Sequence, residues 1–383
     1  MKYRHLGKTG FDVSEIGLGG EYLEGKPLQV VKRVVDTAMD GGVNILDCFM
    51  PNPEVRTNLG LALKGKRDKI YIQGHFRTVW KDNQYGRTLD IGEVQVFFKD
   101  LLARFQTDYM DIGIIHMLDN SNDYDAVFNG PIMEYALQLQ ERGVIRSIGI
   151  STHNPVQALK AARSGLVDVV LFSINAAYDL MNENEPRPKT LGGSLFDNVT
   201  HIDGINHVRE EFYRYCAEHD IGITVMKTLG AGALLNAMKS PFGKAMSVAQ
   251  CVNYALTRPG VCSVMLGMES VAQVKDCLKF EVLSERDKDY SFIFAEEAKL
   301  AMQGRCMYCN HCLPCIAHIN IAQVNKFLDM ALLEGPISST VKAHYETLDH
   351  KADECVACGI CESNCPFGVE IIERMKKAVA VFS

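Results

Sequence analysis

Residues 94–116, VQVFFKDLLARFQTDYMDIGIIH, join an amphipathic helical pattern (Val94–Arg104) to a short apolar run (Asp111–Ile115) that ends on a histidine. A run this short and this apolar suits a parallel strand buried on both faces, with the helix in an outer layer. The same alternation extends in both directions. Strand-like runs recur at Glu15–Gly19, Val43–Leu46, Ile70–Gln73, Ser147–Ile150, Val167–Leu171, Gly222–Val225 and Cys262–Leu266, with helical patterns such as Gln29–Met39, Ile132–Arg142 and Pro155–Arg163 between them. Eight strand-then-helix units within about 270 residues predict an α/β fold, a (β/α)8 TIM barrel. An open doubly wound sheet would place a glycine-rich phosphate turn after its first strand. Gly17-Leu18-Gly19-Gly20 lacks the third glycine of that turn, so the closed barrel is the better reading.

The 383-residue chain is 47% hydrophobic and 23% charged, ordinary values for globular protein, and its length suits two or three domains. A net charge of −7 argues against a partner such as nucleic acid or an anionic membrane. No apolar run is long enough to span a bilayer, and Met1–Gly10 has no apolar leader core, so a cytoplasmic location is expected.

Thirteen cysteines are many for a compartment that keeps thiols reduced, where clustered cysteines bind metal or do chemistry more often than they form disulfides. Cys48, Cys216, Cys251, Cys262 and Cys277 are scattered. The other eight form two runs, Cys306-x2-Cys309-x2-Cys312-x2-Cys315 and Cys355-x2-Cys358-x2-Cys361-x3-Cys365-Pro366. The second run has the bacterial ferredoxin spacing for [4Fe–4S] clusters, in which the fourth cysteine serves the other cluster. Three thiolates at two-residue gaps let a tight loop wrap three irons of one cube, while the fourth reaches the neighbouring cube. Two [4Fe–4S] clusters are therefore expected, one on Cys306, Cys309, Cys312 and Cys365, the other on Cys355, Cys358, Cys361 and Cys315. Zinc ribbons need two CxxC pairs, not two quartets ending in Cys-Pro. Cys315 departs from the pattern, since it follows a two-residue gap and precedes Ile316 where proline is usual. A three-cysteine cluster with an open iron is the alternative there.

This shift in composition divides the chain into a barrel over 1–284, a helical connector over 285–303 and a mostly α-helical, two-cluster ferredoxin-like domain over 304–383. Helices are expected in the last at Ile321–Leu333, Val341–Leu348 and Val369–Val381, with a break at Gly335-Pro336.

In such a barrel, chemistry gathers at the C-terminal ends of the strands. There the sequence sets Asp47, His75, His116, the run Ser151-Thr152-His153-Asn154, Asn175, Met226-Lys227 and Gly267. An acid, several imidazoles, an amide and a lysine at one mouth mark a site more strongly than any one of them alone. The insertion Asn182–Asn206 after strand six is expected over this mouth, as a lid or clamp or as a plain surface excursion.

KYRHLGKTGFDVSEIGLGG (2–20), NILD (44–47), LLARFQTDYMDIGIIH (101–116), ERGVIRSIGIS (141–151) and VCSVMLGMESVAQV (261–274) resemble the aldo-keto reductase family over roughly residues 1–280. The cysteine segment, CMYCNHCLPC (306–315) in particular, is similar to family-like proteins with a C-terminal ferredoxin-type module. The resemblance implies NADPH-dependent reduction of a carbonyl. Hydride leaves the nicotinamide, a tyrosine hydroxyl protonates the alkoxide, a lysine lowers that tyrosine's pKa, an aspartate supports the lysine and a histidine orients the carbonyl. Position by position, the aspartate is Asp47 and the histidine is His116, whereas the tyrosine falls on Asn52 and the lysine on His75. An amide does not titrate in the working range, so Asn52 leaves the acid unsupplied. His75, His116, Tyr22 beyond strand one and Tyr85 after strand three are the candidate donors. Among the family's cofactor positions, the serine is kept as Ser151, the glutamine becomes Asn175, and the nicotinamide-stacking tyrosine becomes Met226, followed by Lys227. The 2′-phosphate segment reads Gly267-Met268-Glu269-Ser270. Glu269 would repel a phosphate, while the helix start at Ser270 still offers backbone N–H groups.

Three functions fit. The first is an oxygen-sensitive iron–sulfur oxidoreductase that reduces a small carbonyl-type substrate in the mouth, with electrons relayed through the clusters from a redox partner protein. A cluster passes single electrons, so NAD(P)H or a flavin would complete hydride chemistry. The second is a metal-dependent lyase or hydrolase with Asp47, His75, His116 and His153 around one ion. The third is an electron-transfer or binding protein on a degenerate barrel.

Overall fold

The computed structural model describes residues 1–180, 205–294, 304, 306–332 and 336–383. They fall into two units. One comprises Met1–Ser173, Ile221–Met226 and Cys262–Glu281, the other Ile174–Asp220, Lys227–Val261 and Val282–Ser383.

The first unit carries a closed parallel barrel. Its strands are β1 (Ile16–Gly19), β2 (Ile45–Cys48), β3 (Tyr71–Phe76), β4 (Met110–Ile115), β5 (Ile145–Thr152), β6 (Val169–Ser173), β7 (Gly222–Met226) and β8 (Val261–Gly267). They pair in chain order, with β8 closing on β1 through Val264↔Ile16. Each of the eight runs expected from the sequence lies on one of these strands. β2 and β3 continue past their expected ends at Leu46 and Gln73. The ladder proceeds through Asp47↔Gln73 and Cys48↔Gly74, because backbone pairing does not depend on a polar side chain whose own bonds are made within the barrel.

Buried Leu6, Phe11, Ile45, Ile112, Ile114, Val169, Leu171 and Met265 belong to one apolar cluster of this unit. Each fully buried side chain of this kind contributes about 1.5–3 kcal/mol. The glycines of β1 serve this packing. A methyl group at Gly17 would stand 2.2 Å from Met265 Cε, and one at Gly20 only 2.9 Å from the Asp47 carbonyl oxygen. Close approach of strands, not a phosphate turn, accounts for them.

The second unit is mainly helical. Its helices include His207–Glu218, Val248–Leu256, Ile321–Ala331, Ser339–Glu346, Ile360–Asn364 and Ile371–Phe382. Polar caps fix several starts. Asn206 accepts from the amides of Val208 and Arg209, Ser247 and Gln250 form a capping box, and Asn320 accepts from Gln323 N–H. Fully buried Asp179 receives Arg209 Nε at 2.7 Å, Tyr213 OH at 2.6 Å and Tyr254 OH at 3.0 Å. The three helices expected after residue 320 are present, with ends shifted by a few residues. The short helix Ile360–Asn364, inside the second cysteine run, was not expected.

The expected helical connector, 285–303, has only a 3-10 turn at Ser291–Ile293 in its described part. Ser284 and Asp287 bond each other's backbone and side chains, and Asp289 accepts from Ser291 N–H. Such local bonds compete with helix formation. Residues 295–303 of that connector, the insertion Asn182–Asn206 up to residue 204, and Gly335 of the expected helix break lie outside the described residues. Among the described residues no helix is long and apolar enough to cross a membrane.

Candidate active site

Alternation along β3 sends Gln73 and His75 to one side of the ladder, where Asp47 of β2 meets both. His75 Nε2 and Gln73 Nε2 each lie 2.9 Å from Asp47 Oδ1. Thr224 of β7 holds the other end of Gln73, its hydroxyl donating to Oε1 at 2.8 Å. Across the imidazole, His75 Nδ1 is 2.9 Å from Nδ1 of His116, the residue after β4. His116 Nε2 lies 2.9 Å from the hydroxyl of Tyr85.

Tyr85 stands on a two-stranded hairpin, Thr78–Lys81 paired with Gln84–Arg87. Asp82 and Asn83 make its two-residue turn, both with positive φ (51° and 56°), the conformation that two-residue hairpins favour. The hairpin is launched by Arg77, itself left-handed at φ 69°. A non-glycine residue there costs roughly 1–2 kcal/mol. The Arg77 guanidinium offsets it, donating to the His116 carbonyl (3.0 Å), the Thr88 carbonyl (3.1 Å) and Asp123 (3.1 Å).

With Asp47 as acceptor and both rings neutral, one proton assignment satisfies every contact. His75 carries its proton on Nε2 and accepts at Nδ1, while His116 donates from Nδ1 and accepts the Tyr85 hydroxyl at Nε2. Donors therefore run from Tyr85 through His116 and His75 to Asp47. Burial, with the His75 and Arg77 charges adding to it, holds the His116 pKa well below its ordinary value, which keeps the ring neutral. Burial pushes the Tyr85 hydroxyl up, against the opposing effect of Arg87 and Arg77, so it stays protonated. Phe49 stacks on His116 at 5.3 Å and meets Tyr85 edge-on. The Ser151 hydroxyl accepts from Met117 N–H at 2.8 Å and lies 3.4 Å from His116 Nδ1.

The other expected site residues have partners elsewhere. Asn52 caps the helix Pro53–Ala62, accepting from Glu54 N–H at 2.9 Å, and donates to Glu24 at 2.7 Å. Asn175 spends both ends of its amide on the Lys227 carbonyl and on Tyr178 N–H, each at 2.9 Å. Met226 packs against the barrel's apolar cluster. A Cβ at Gly267 would meet the Tyr22 ring at 2.2 Å, so that ring covers it. Ser270 caps Val271–Leu278, and Glu269, expected to repel a phosphate, pairs with Lys26 at 2.6 Å. His153 turns to Asp119 at 3.0 Å. Among the described residues no three His, Cys, Asp or Glu side chains converge as ligands of a single metal ion.

The two cysteine runs share one backbone pattern. Tyr308 and Asn310 have positive φ between Cys306, Cys309 and Cys312, and Ala357 and Gly359 have it at the matching places between Cys355, Cys358 and Cys361. Such alternation turns successive N–H groups into a concavity that suits anions, iron–sulfur cubes among them. The thiols also sort across the runs. Cys315 lines a cavity with Cys355, Cys358 and Cys361, closed by Pro314, Ile319, Ile321 and Met375. Cys365 lies near enough to Cys306, Cys309 and Cys312 for its charge to act on all three, in thiols that burial already raises. Arg258, buried, anchors the first run by donating to the Met307 carbonyl at 3.2 Å, alongside Tyr290 at 3.0 Å.

The sequence profile of the Aldo/keto reductase family matches residues 15–247, from the start of β1 through β7. The chain belongs to the aldo/keto reductase family. It is 28% identical over 163 residues to Aldo-keto reductase YhdN of Bacillus subtilis (39% of this chain, 47% of YhdN). It is 29% identical over 183 residues to the uncharacterized oxidoreductase YqkF of the same organism (45% and 57%). The chain thus spans about half the length of the curated relatives it matches. Among solved structures, the holo form of an aldo-keto reductase from Bacillus halodurans superposes with a TM-score of 0.59 at 21% identity, over 76% of this chain and 95% of that one. At that identity the likeness speaks to the fold.

Within this aldo/keto reductase barrel, several site residues were not anticipated. Gln73 could have been found as the same-face neighbour of His75, two positions back on one strand. The hairpin carried a signal too, since Asp82-Asn83 sits between the runs TVWK and QYGR. The stacking of Phe49 on His116 and the pairing of Lys26 with Glu269 depend on tertiary contacts and carry no local signature.

Proposed function

We propose that this aldo/keto reductase family member is an iron–sulfur oxidoreductase that reduces a small carbonyl-type substrate in the barrel mouth. Asp47 and His75 would set the charge and proton balance there, with His116 between them and the mouth. The residues that would hold two [4Fe–4S] clusters are Cys306, Cys309, Cys312 and Cys365 for one, and Cys355, Cys358, Cys361 and Cys315 for the other. Bound clusters supply electrons one at a time, which implies a redox partner protein as their source. The observation that carries this reading is the crosswise sorting of the cysteines, with Cys315 in the cavity of the second run. A cube spreads its thiolates over separate irons, so they need not meet about 2.3 Å from one point, as ligands of a single zinc ion do.

NAD(P)H is the family's reductant, yet its positions here are largely engaged within the chain. Asn175 bonds the Lys227 carbonyl and Tyr178 N–H, Ser151 accepts from Met117 N–H, and the amides of Glu269 and Gln273 are held by Gln273 and Ser270. These bonds favour electron supply through the clusters over direct nicotinamide use.

Protein purified without oxygen tests the reading. It should carry about eight iron and eight acid-labile sulfide per chain, the content of two cubes. It should also reduce 4-nitrobenzaldehyde with reduced methyl viologen as donor. Zinc in place of iron would sink the cluster assignment. Cluster-loaded protein that reduces no aldehyde or ketone would sink the reductase.

A further inference from the structure

The family's tyrosine position holds Asn52, which caps a helix, so a reductase built on this chain needs its acid from elsewhere. Tyr85 is the hydroxyl that the geometry offers. It is 43% exposed, and its oxygen lies 2.9 Å from His116 Nε2. The hairpin that carries it is pinned to the catalytic strands by Arg77, through the carbonyl of His116 itself.

We propose that Tyr85 is the catalytic acid, recharged through His116 by an Asp47–His75 ion pair. This deepens the reductase reading above and rests on it. The observed bonds describe the spent state, with both rings neutral and every donor aimed inward. One added proton reverses the chain. His75 becomes an imidazolium held by Asp47, His75 Nδ1–H points to His116 Nδ1, His116 Nε2–H points to the Tyr85 oxygen, and the Tyr85 hydroxyl is free to face the substrate. During reduction the carbonyl carbon gains two electrons and one hydrogen. They come as hydride from a dihydronicotinamide, or as two electrons from reduced clusters with a proton from water. The C=O π pair moves to oxygen, the Tyr85 O–H bond breaks and the alcohol O–H bond forms. Tyr85 takes the Nε2 proton of His116, His116 takes the Nδ1 proton of His75, and the observed arrangement returns.

The roles divide accordingly. Tyr85 touches substrate, whereas His116, His75 and Asp47 act through it as positioning and relay residues. The depressed pKa of His116 fits a conduit that does not store the charge. Charged and titratable groups around the pair are His75, Arg77, Arg87 and His153 for His116, and Arg77, Arg87 and Asp119 for Tyr85.

Two measurements test this on the oxidised, cluster-containing protein. Nitrogen-15 spectra of labelled histidine should find His116 protonated on Nδ1 and bare on Nε2, with the Nε2 resonance shifting in Tyr85→Phe while the His75 resonances hold. Steady-state reduction of 4-nitrobenzaldehyde should lose about 100-fold or more in kcat in Tyr85→Phe with little change in KM, the size expected for a positioned acid. His75→Gln, which cannot take up the added proton, should abolish the fall in kcat on the alkaline side of the pH profile. A wild-type His116 still protonated on Nε2 at alkaline pH, where both rings are neutral, or a Tyr85→Phe variant of unchanged kcat, overturns the proposal. A wild type that reduces no carbonyl while its spectra match expectation overturns the reductase reading, and the catalytic role of Tyr85 with it.

Discussion

Nδ1 of His75 and Nδ1 of His116 lie 2.9 Å apart, so two like atoms share a single hydrogen between them. Both rings are buried, and neither can hold a second proton without a compensating carboxylate. Asp47 provides one for His75 and none for His116. The folded protein therefore keeps His116 neutral, with its pKa below the ordinary value of about 6.5. Below that pH the unfolded chain binds the proton that the folded chain refuses, so this contribution to stability is full above about pH 6.5 and declines as the pH falls. Denaturant titrations between pH 8 and pH 5 should register the decline, and His116→Gln should flatten it. A slope unchanged in the variant would contradict the assignment.

Asn52, which the family resemblance sets at the acid position, caps a helix, its side-chain carbonyl accepting from Glu54 N–H. Asn52→Ala should cost about 1 kcal/mol of stability, as the loss of a cap does. Its kcat should stay within about twofold of wild type, since the amide lies outside the Tyr85–His116–His75–Asp47 chain. A large loss of kcat with intact stability would return Asn52 to the chemistry.

Cys315 shares its cavity with Cys355, Cys358 and Cys361. Cys315→Ser should leave the cluster of the first run intact and convert the other to a form with one weakly held iron. Electron paramagnetic resonance of the oxidised protein should then reveal a three-iron signal absent from wild type. Unaltered iron content and spectra would remove Cys315 from the ligand set.

Asp179 is fully buried and binds Arg209, Tyr213 and Tyr254. Asp179→Ala removes the carboxylate that Arg209, Tyr213 and Tyr254 share and should cost about 3–5 kcal/mol, the usual result of breaking a buried ion pair from one side. Thermal unfolding should register it as a large fall in Tm. A near-neutral outcome would mean that water reaches Arg209.

Much of the barrel was legible because its code is local. β4 is buried throughout and, Asp111 apart, carries no polar side chain, and the other strands repeat that mostly buried signature with helices between. Asp47, His75 and His116 were legible as strand ends. Their order in space was not, because it depends on which ring nitrogen faces which neighbour. Tyr85 could be named from sequence only as one donor among several; its contact with His116 depends on Arg77 turning left-handed after β3. The cysteine spacing gives two crossed sets as an expectation, while the matching left-handed twists at Tyr308/Asn310 and Ala357/Gly359 could not be read, since only the last of the four is glycine.

Arg77 ties the root of the hairpin to the carbonyl of His116, the residue that Tyr85 touches at the hairpin's far strand. Hairpin and barrel rim therefore move as one rigid bracket. Lifting the bracket to admit a bulky guest would drag the imidazole along and uncouple it from His75. Guests small enough to slip in beside the tyrosine ring leave the alignment undisturbed, so the upper limit of this mouth on molecular size is set by the guanidinium of Arg77.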